Sequence, residues 1–515
     1  MLDGSIVNVA LPTIQRGLGG GLAAQQWVVN AYLLTLGSLI LLGGSLGDLY
    51  GERRIFALGV SGFGVASLAC AVSPSIGTLI AARALQGVAG ALLVPSALAV
   101  IVNTFSEDER GAAIGSWTAW GAIAAVLGPL AGGELLAVAS WRWIFLVNLP
   151  FVLACLALIL VIIPRAERRD AGARTIDVPG ALLCAGGLGG PVFALIEQPR
   201  LGWSSPGVLI PLIAGLSLFA CFLLFESRTR DPMLPLGLFR RRNFSAGNIE
   251  TFSMYAGLSV LFFFLILFLQ QVGGYSPLDS GLATLPATLV LFVLSRRFGA
   301  LADRYGPRLF MGAGPLVAAS GLLLLQRVGV RVDYLGEVLP GVLVFALGLS
   351  MTVAPLTAAV LAGAERSQAG IASGVNNAIA RVAGLLGTAA VGAAVAGSFG
   401  SALDSRLAGV ALGAPARAAV TQAKRLALGV PNLGGVPAGQ AHLLKLAAQA
   451  ASLHSFHLGL AIAAGLVAVG GLVGAAGIRN TPGPVHAKTC GGGSLVGVSS
   501  EIAARDAPEP ETIAI

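Results

Sequence analysis

Gly44-Ser-Leu-Gly-Asp48-Leu-Tyr-Gly51-Glu-Arg53 and Gly299-Ala-Leu-Ala-Asp303-Arg-Tyr-Gly306-Pro-Arg308 align without gaps, agree at six of ten positions and stand 255 residues apart. A match at so long an offset is the mark of an internally duplicated architecture. Each copy interrupts apolar sequence with charge and glycine, so each reads as a short polar turn between two apolar helices. The fold is decided by how many such helices lie between the copies and on either side of them.

The rest of the chain is apolar enough to count them. Charged side chains make up 11% of the 515 residues, against roughly 25% in a soluble domain. Hydrophobic residues supply 56%, and 71 residues are Gly. That is the composition of an all-α polytopic membrane protein, in which small residues let helices approach where lipid supplies no hydrophobic drive. Crossing a ~30 Å hydrocarbon core takes roughly 20 apolar residues. Cutting the chain at charges and Pro-Gly clusters gives fourteen spans, near 1–16, 25–46, 55–73, 78–104, 111–136, 143–163, 177–197, 206–226, 245–271, 277–298, 307–326, 337–362, 368–397 and 456–478.

Both copies of the repeat follow an even-numbered span, so the two halves share one orientation, the parallel relation about an axis along the membrane normal. Six spans per half leave 177–197 and 206–226 as insertions. The expected division is a six-helix bundle over 1–163, two inserted helices over 177–226, and a second six-helix bundle over 245–478 that includes a long external connection, 398–455. A disordered cytoplasmic tail follows over 479–515. The first span is too short to cross at 1.5 Å per residue and reads as lacking its beginning. Asp3 stands where a signal peptide would carry a basic residue, which excludes that reading. In the 398–455 connection, Lys424, Arg425 and Lys445 recur among Leu and Ala at helix-like spacing, as in a surface-lying amphipathic helix or a partly ordered loop.

Charge sets the topology. One set of alternate connections, with the tail, holds 20 Lys and Arg, and the other holds 10, five of them in 398–455. Short cytoplasmic loops retain positive charge, so both termini are expected in the cytoplasm and the protein in the cell membrane. The net charge of +8 is spread over short loops rather than gathered in a stripe, which argues against nucleic acid. The five Cys are scattered without a CxxC, and the four His form no HExxH, so neither a disulfide framework nor a metal site is indicated. No GxxxxGK[ST] is present, which argues against ATP-driven pumping, and no cofactor is expected.

Polar residues inside the spans carry the remaining signal. Leu79-xxx-Arg83-xx-Gln86-Gly87 places an Arg at membrane depth, where such residues face a bundle interior or water. Gly115-x8-Ala124-x3-Gly128-Pro129-xx-Gly132-Gly133 in the fifth span combines small residues for close packing with a Pro that removes a backbone bond and bends the helix. Leu2-Asp3-Gly-Ser5-Ile-Val-Asn8-Val-Ala-Leu-Pro12 puts a carboxyl in the first span. Burial resists its ionisation and a nearby cation or water favours it, so its proton affinity can change as a cavity turns from one side to the other. Glu250 follows Asn248 and precedes Thr251 and Tyr255; because Arg240–Arg242 lies close by, a cavity acid and an interfacial salt-bridged Glu are both open. Ser373, Asn376, Asn377 and Arg381 in the thirteenth span offer interhelical hydrogen bonds for packing and gating.

On these motifs the sequence resembles the major facilitator superfamily, and within it the fourteen-span drug:proton antiporter family, over nearly the whole chain. The repeat matches the superfamily's loop signature, with Leu49 and Glu52 in place of the usual basic residues. Residues 79–87 resemble the motif whose buried Arg is associated with proton coupling. The fifth-span cluster resembles the antiporter motif, with Ala124 for Gly, and the N-terminal stretch resembles the family's first-helix signature, with Ser5 for Thr. The resemblance implies two six-helix bundles plus two inserted helices, alternating access, and export of lipophilic, often cationic, small molecules in exchange for protons. It associates proton coupling with Arg83 and brings Asp3 into the first span, and Glu250, read from its own polar neighbours, is the second protonatable candidate for that coupling. It assigns cytoplasmic gating to Gly44, Asp48, Gly51, Arg53, Asp303, Gly306 and Arg308. The antiporter motif is carried by Gly115, Gly128, Pro129, Gly132 and Gly133, and the substrate cavity by Asn8, Gln86, Asn248 and Tyr255. The expected partners are a small-molecule substrate, protons and the lipid bilayer. Fold alone does not fix direction, so an uptake symporter or facilitator is the rival on the same fold, though the fifth-span motif favours export. From other classes, a polytopic membrane enzyme would need a nucleophile or a paired acid and base at one membrane depth, and no His joins an acid in a recognisable motif; a non-transporting membrane sensor or scaffold is the reading that a missing first half-helix would suggest.

Overall fold

The structure, a computed structural model, describes residues 2–163, 177–230, 232–362, 369–429, 431 and 433–480. Among the described residues the regular structure is entirely helical. Its helices are α1 (Leu2–Leu18), α2 (Leu22–Tyr50), α3 (Glu52–Ala71), α4 (Ile76–Thr104), α5 (Glu107–Val138), the short α6 (Trp143–Leu146), α7 (Asn148–Ile162), α8 (Val178–Leu201), α9 (Pro206–Glu226), α10 (Arg242–Gln271), α11 (Pro277–Tyr305), α12 (Pro307–Leu324), α13 (Leu339–Ala362), α14 (Ala369–Leu407), α15 (Ala414–Leu426) and α16 (Ala438–Gly477).

Twelve segments among the described residues are long and apolar enough to cross a membrane. The fourteen expected from sequence are not reached by that measure. At 17 residues, α1 extends about 25 Å, short of the ~30 Å core, and α5 enters only through the shorter stretch Leu127–Val138. The 398–455 connection also differs from expectation. The helices α14 and α16 run 39 and 40 residues and reach into it from both ends. Lys445 therefore belongs to α16, and only α15 is a separate amphipathic helix. It turns Ala416, Ala419 and Ala423 inward and ties Lys424 Nζ to Asp404 at 2.6 Å. The alanine face is covered by protein, which removes the apolar surface a membrane-lying helix would need. The expected disordered tail beyond Asn480 lies outside the described residues.

The repeated turns are built alike. Gly51 ends α2 at φ 92° and Gly306 ends α11 at φ 85°, and each donates its N–H to the carbonyl four residues back, Gly47 at 3.0 Å and Ala302 at 2.8 Å. Only glycine takes that backbone conformation without a Cβ penalty. Just beyond each turn an arginine caps the C-terminal end of another helix. Arg53 Nη2 donates to Leu160 O of α7 at 2.9 Å, and Arg308 Nε donates to Ala475 O of α16 at 2.7 Å. A cation at a helix C-terminus satisfies orphan carbonyls and complements the dipole.

Packing joins α2 with α3 and α4, α1 with α5, and α3 with α7. Later in the chain α10 packs on α14 and α16, α12 on α13 and α16, and α11 on α13. Contacts between these groups run through α5 with α11 and α2 with α14. The hairpin α8–α9 rests through α8 on α2 and α14.

Candidate functional site: a central cavity and the polar core behind it

Between the two groups of helices lies a cavity of about 1370 Å³, larger than the ~300–1,000 Å³ usual for a single drug-sized ligand. Its wall is aromatic at Tyr32, Trp117, Trp120, Tyr255, Phe262 and Phe345. It reaches the α2–α3 turn at Gly44, Asp48 and Glu52, and also Asp177 and Arg230, so this is its mouth. The opposite end is sealed by neutral amides that link the groups. Gln26 Nε2 donates to Thr388 O at 2.6 Å, Thr388 Oγ1 donates to Asn30 Oδ1 at 3.0 Å, and Gln15 Oε1 accepts from Gln25 at 2.5 Å and from Gln271 at 3.2 Å.

Behind the cavity wall, α1, α3, α4 and α7 converge on one carboxyl. Arg83 Nη1 meets Asp3 Oδ2 at 2.6 Å, while Asp3 Oδ1 accepts from Gln86 Nε2 and Asn148 Nδ2, both at 3.1 Å. Ser67 Oγ accepts from Gln86 Nε2 at 2.9 Å, and Arg83 Nε donates to Val28 O at 3.0 Å. The Arg83 guanidinium carbon stands 4.4 Å from the Tyr32 ring centroid. Arg83 is 1% exposed and Asp3 4%, yet Arg83 and Tyr32 also line the cavity. With every oxygen of Asp3 accepting, this is an arrangement for an ionised carboxylate whose cation borders the cavity.

The second acid has a different setting. Glu250 is fully buried on α10, and neither carboxyl oxygen has a hydrogen-bond partner among the described residues. Its carboxyl packs against Gly474 of α16, where even a methyl group would collide with Oε2. It does not line the cavity. Its neighbours do find partners: Asn376 Nδ2 of α14 donates to Asn248 Oδ1 at 3.0 Å and to Thr251 Oγ1 at 2.7 Å. Of the four residues expected in the cavity, Asn8 and Tyr255 line it, whereas Gln86 and Asn248 are buried behind its wall. Asn8 contributes to the cavity wall, but its side-chain oxygen is itself buried and has no hydrogen-bond partner among the described residues.

The fifth-span motif lies at two helix crossings. A Cβ on Gly128 would strike Ser5 and one on Gly132 would strike Ile6, both of α1, while one on Gly133 would strike the backbone of Leu278 in α11. Gly281 of α11 approaches the Pro129 carbonyl just as closely. Gly115 is on the same helix, and its surroundings lie outside the described residues. Asp48 is at the cavity mouth, and Asp303, exposed, occupies the corresponding place in the second turn.

Sequence reading missed Ser67, Tyr32 and Asn148 as members of the core. Asn148 had a signal: Val147-Asn148-Leu149-Pro150 echoes Val7-Asn8 and Leu11-Pro12 of the first span. Ser67 and Tyr32 had none, because a lone Ser or Tyr in an apolar span is ordinary.

The chain is 41% identical over 393 residues to the puromycin resistance protein pur8 of Streptomyces alboniger, covering 76% of this chain and 78% of that one. It is 34% identical over 483 residues to the tetracenomycin C resistance and export protein of Streptomyces glaucescens, covering 92% and 88%. It is 35% identical over 407 residues to the multidrug resistance protein Stp of Mycobacterium tuberculosis (strain CDC 1551 / Oshkosh), covering 79% and 75%. In fold it is similar to a bacterial homologue of the human lysosomal transporter Spinster, with a TM-score of 0.60 at 16% identity over 94% of this chain and 96% of that one. Residues 1–388 match the profile of the Major Facilitator Superfamily. The chain is a multi-pass membrane protein that belongs to the major facilitator superfamily, with antibiotic and multidrug resistance exporters among its relatives.

Proposed function

We propose that this protein exports lipophilic small molecules across the plasma membrane in exchange for protons, by alternating access. Residues 1–163 and 245–478 are the two moving bundles, and α8 and α9 are inserted between them. Positive charge in the short loops supports placing both termini, and therefore the cavity mouth at Asp48, in the cytoplasm. The relatives named for puromycin resistance and for tetracenomycin C resistance and export support outward drug transport.

The observation that carries the coupling is the Asp3–Arg83 pair beside the cavity. With the mouth open, Asp3 holds Arg83 and has released its proton. Reorientation draws Arg83 away, and a carboxylate deprived of its cation in a dehydrated core takes up a proton from the other side. Arg83 stays charged throughout, so the proton is carried by the carboxyl and the guanidinium sets when it leaves. The test is substrate-induced release of an imposed pH gradient in everted vesicles, beside equilibrium substrate binding. Parent protein should show both, and Asp3→Asn should keep binding while losing gradient release. A fully coupled Asp3→Asn protein would assign the proton elsewhere.

A further inference from the structure

Three arginines bring positive charge to the cavity: Arg83, Arg230 and Arg381. Arg83 is neutralised by Asp3. Arg230 stands at the mouth, where Asp48, Glu52 and Asp177 are also found. Arg381 has no acid for company; the titratable group it acts on is the Tyr32 phenol, which also neighbours Arg83 and Asp3. Among the described residues it makes no hydrogen bond or ion pair. As the thirteenth residue of α14 it lies roughly 18 Å from the start of that helix. Its stem packs beside Gly37 of α2, and Asp48 is eleven residues further along α2, about 16 Å away at 1.5 Å per residue.

The titratable and charged groups that could offset Arg381 are therefore accounted for. Asp3 is engaged, Glu250 is off the cavity, and Tyr32, which Arg381 acts on, is a phenol with no charge of its own to offset a guanidinium. The cavity's acids, Asp48, Glu52 and Asp177, are at the mouth, while the groups lining it beside Arg381, such as Asn377 and Thr388, are neutral. A guanidinium cannot shed its charge by deprotonation, and a half-buried one without a counterion is served by an anion that brings its own. Its planar fork matches a carboxylate bidentately, and Trp117, Trp120 and Tyr255 offer aromatic faces in the same cavity.

We propose that Arg381 is a substrate-binding residue that makes the cavity select aromatic molecules bearing an acidic group, a carboxylate or a phenolate, over cations. The proposal rests on the export reading and sharpens its substrate class, replacing the cationic cargo that family resemblance implies. It is tested by binding of three probes to the full chain in lipid nanodiscs, read as quenching of tryptophan fluorescence: anthraquinone-2-carboxylate, its neutral amide, and the cation rhodamine 6G. The parent should bind the carboxylate at least tenfold more tightly than the amide. Arg381→Gln should lower that ratio tenfold, and Arg381→Lys should recover most of it. Equal affinity for carboxylate and amide in the parent, or tighter binding of rhodamine 6G than of the carboxylate, would overturn the proposal without needing any variant to fold. A ratio unchanged in Arg381→Gln would also overturn it and assign Arg381 to packing. Uptake of the same probes into everted vesicles under a pH gradient separates the two readings. An Arg381-dependent binding ratio without uptake of any probe would sustain the selectivity and reject export.

Discussion

Asp3 and Glu250 are both buried carboxyls, each on the first helix of its half, and they are served in opposite ways. Asp3 is surrounded by donors from α4 and α7 and faces an arginine that borders the cavity. Glu250 is more deeply buried and, among the described residues, has neither a cation nor a donor on its oxygens. Depth in the membrane therefore does not identify the coupling acid. An exchangeable proton needs a partner that can leave and a path to water. On the proposed export reading Asp3 would meet both needs through Arg83, which borders the cavity, whereas Glu250 packs against Gly474 of α16, a helix that does not line it. An ionised Glu250 would be a charge without compensation in this packing, so the neutral acid is the form the site accommodates.

The contrast can be broken by mutation. The largest effect is expected from Arg83→Ala and Asp3→Asn, since removing one member of a buried pair costs roughly 3–5 kcal/mol. Both should abolish gradient-driven efflux and lower the melting temperature, as measured in reconstituted vesicles and by thermal unfolding in detergent. Next comes Gly132→Leu. Overpacking of the α1–α5 crossing costs about 1–3 kcal/mol, enough to stop state exchange while membrane insertion persists; normal drug resistance in cells carrying it would refute that role.

A smaller effect is expected at the repeated turns. We expect Asp48→Asn to slow turnover in reconstituted vesicles while leaving substrate affinity intact, because Asp48 borders the mouth that must close. Arg53→Ala and Arg308→Ala each remove one exposed contact between a cation and a helix C-terminus, worth roughly 0.3–1 kcal/mol. If the halves are mechanically equivalent, the two losses of thermal stability should match. The smallest effect is reserved for Glu250→Gln, where a change in stability within about 1 kcal/mol and intact coupling are expected from stoichiometry measurements. Uncoupling by Glu250→Gln with intact Asp3→Asn would reverse the comparison.

Much of this protein is legible in its residues one segment at a time. Apolar length and charge placed the helices, and the matched glycines at 51 and 306 marked turns that prove to share a backbone conformation and an arginine cap. These properties are local: hydropathy decides what enters lipid, and positive φ decides where glycine must stand. The motif at Gly128–Gly133 likewise announced close packing, though not that its two partners are α1 and α11. What needed the tertiary structure is every statement about which side chains meet. Asp3 reaches Arg83 across 80 residues and Asn148 across 145, because helix rotation and tilt, not spacing, aim a side chain at a bundle axis. The same rotation turns Glu250 away from the cavity and Arg381 into it, although both sit in apolar spans beside similar polar neighbours. The lengths of α14 and α16 were hidden for a related reason. Alanine-rich sequence is neutral about being a connection or a helix, and packing on protein resolved it in favour of the helix.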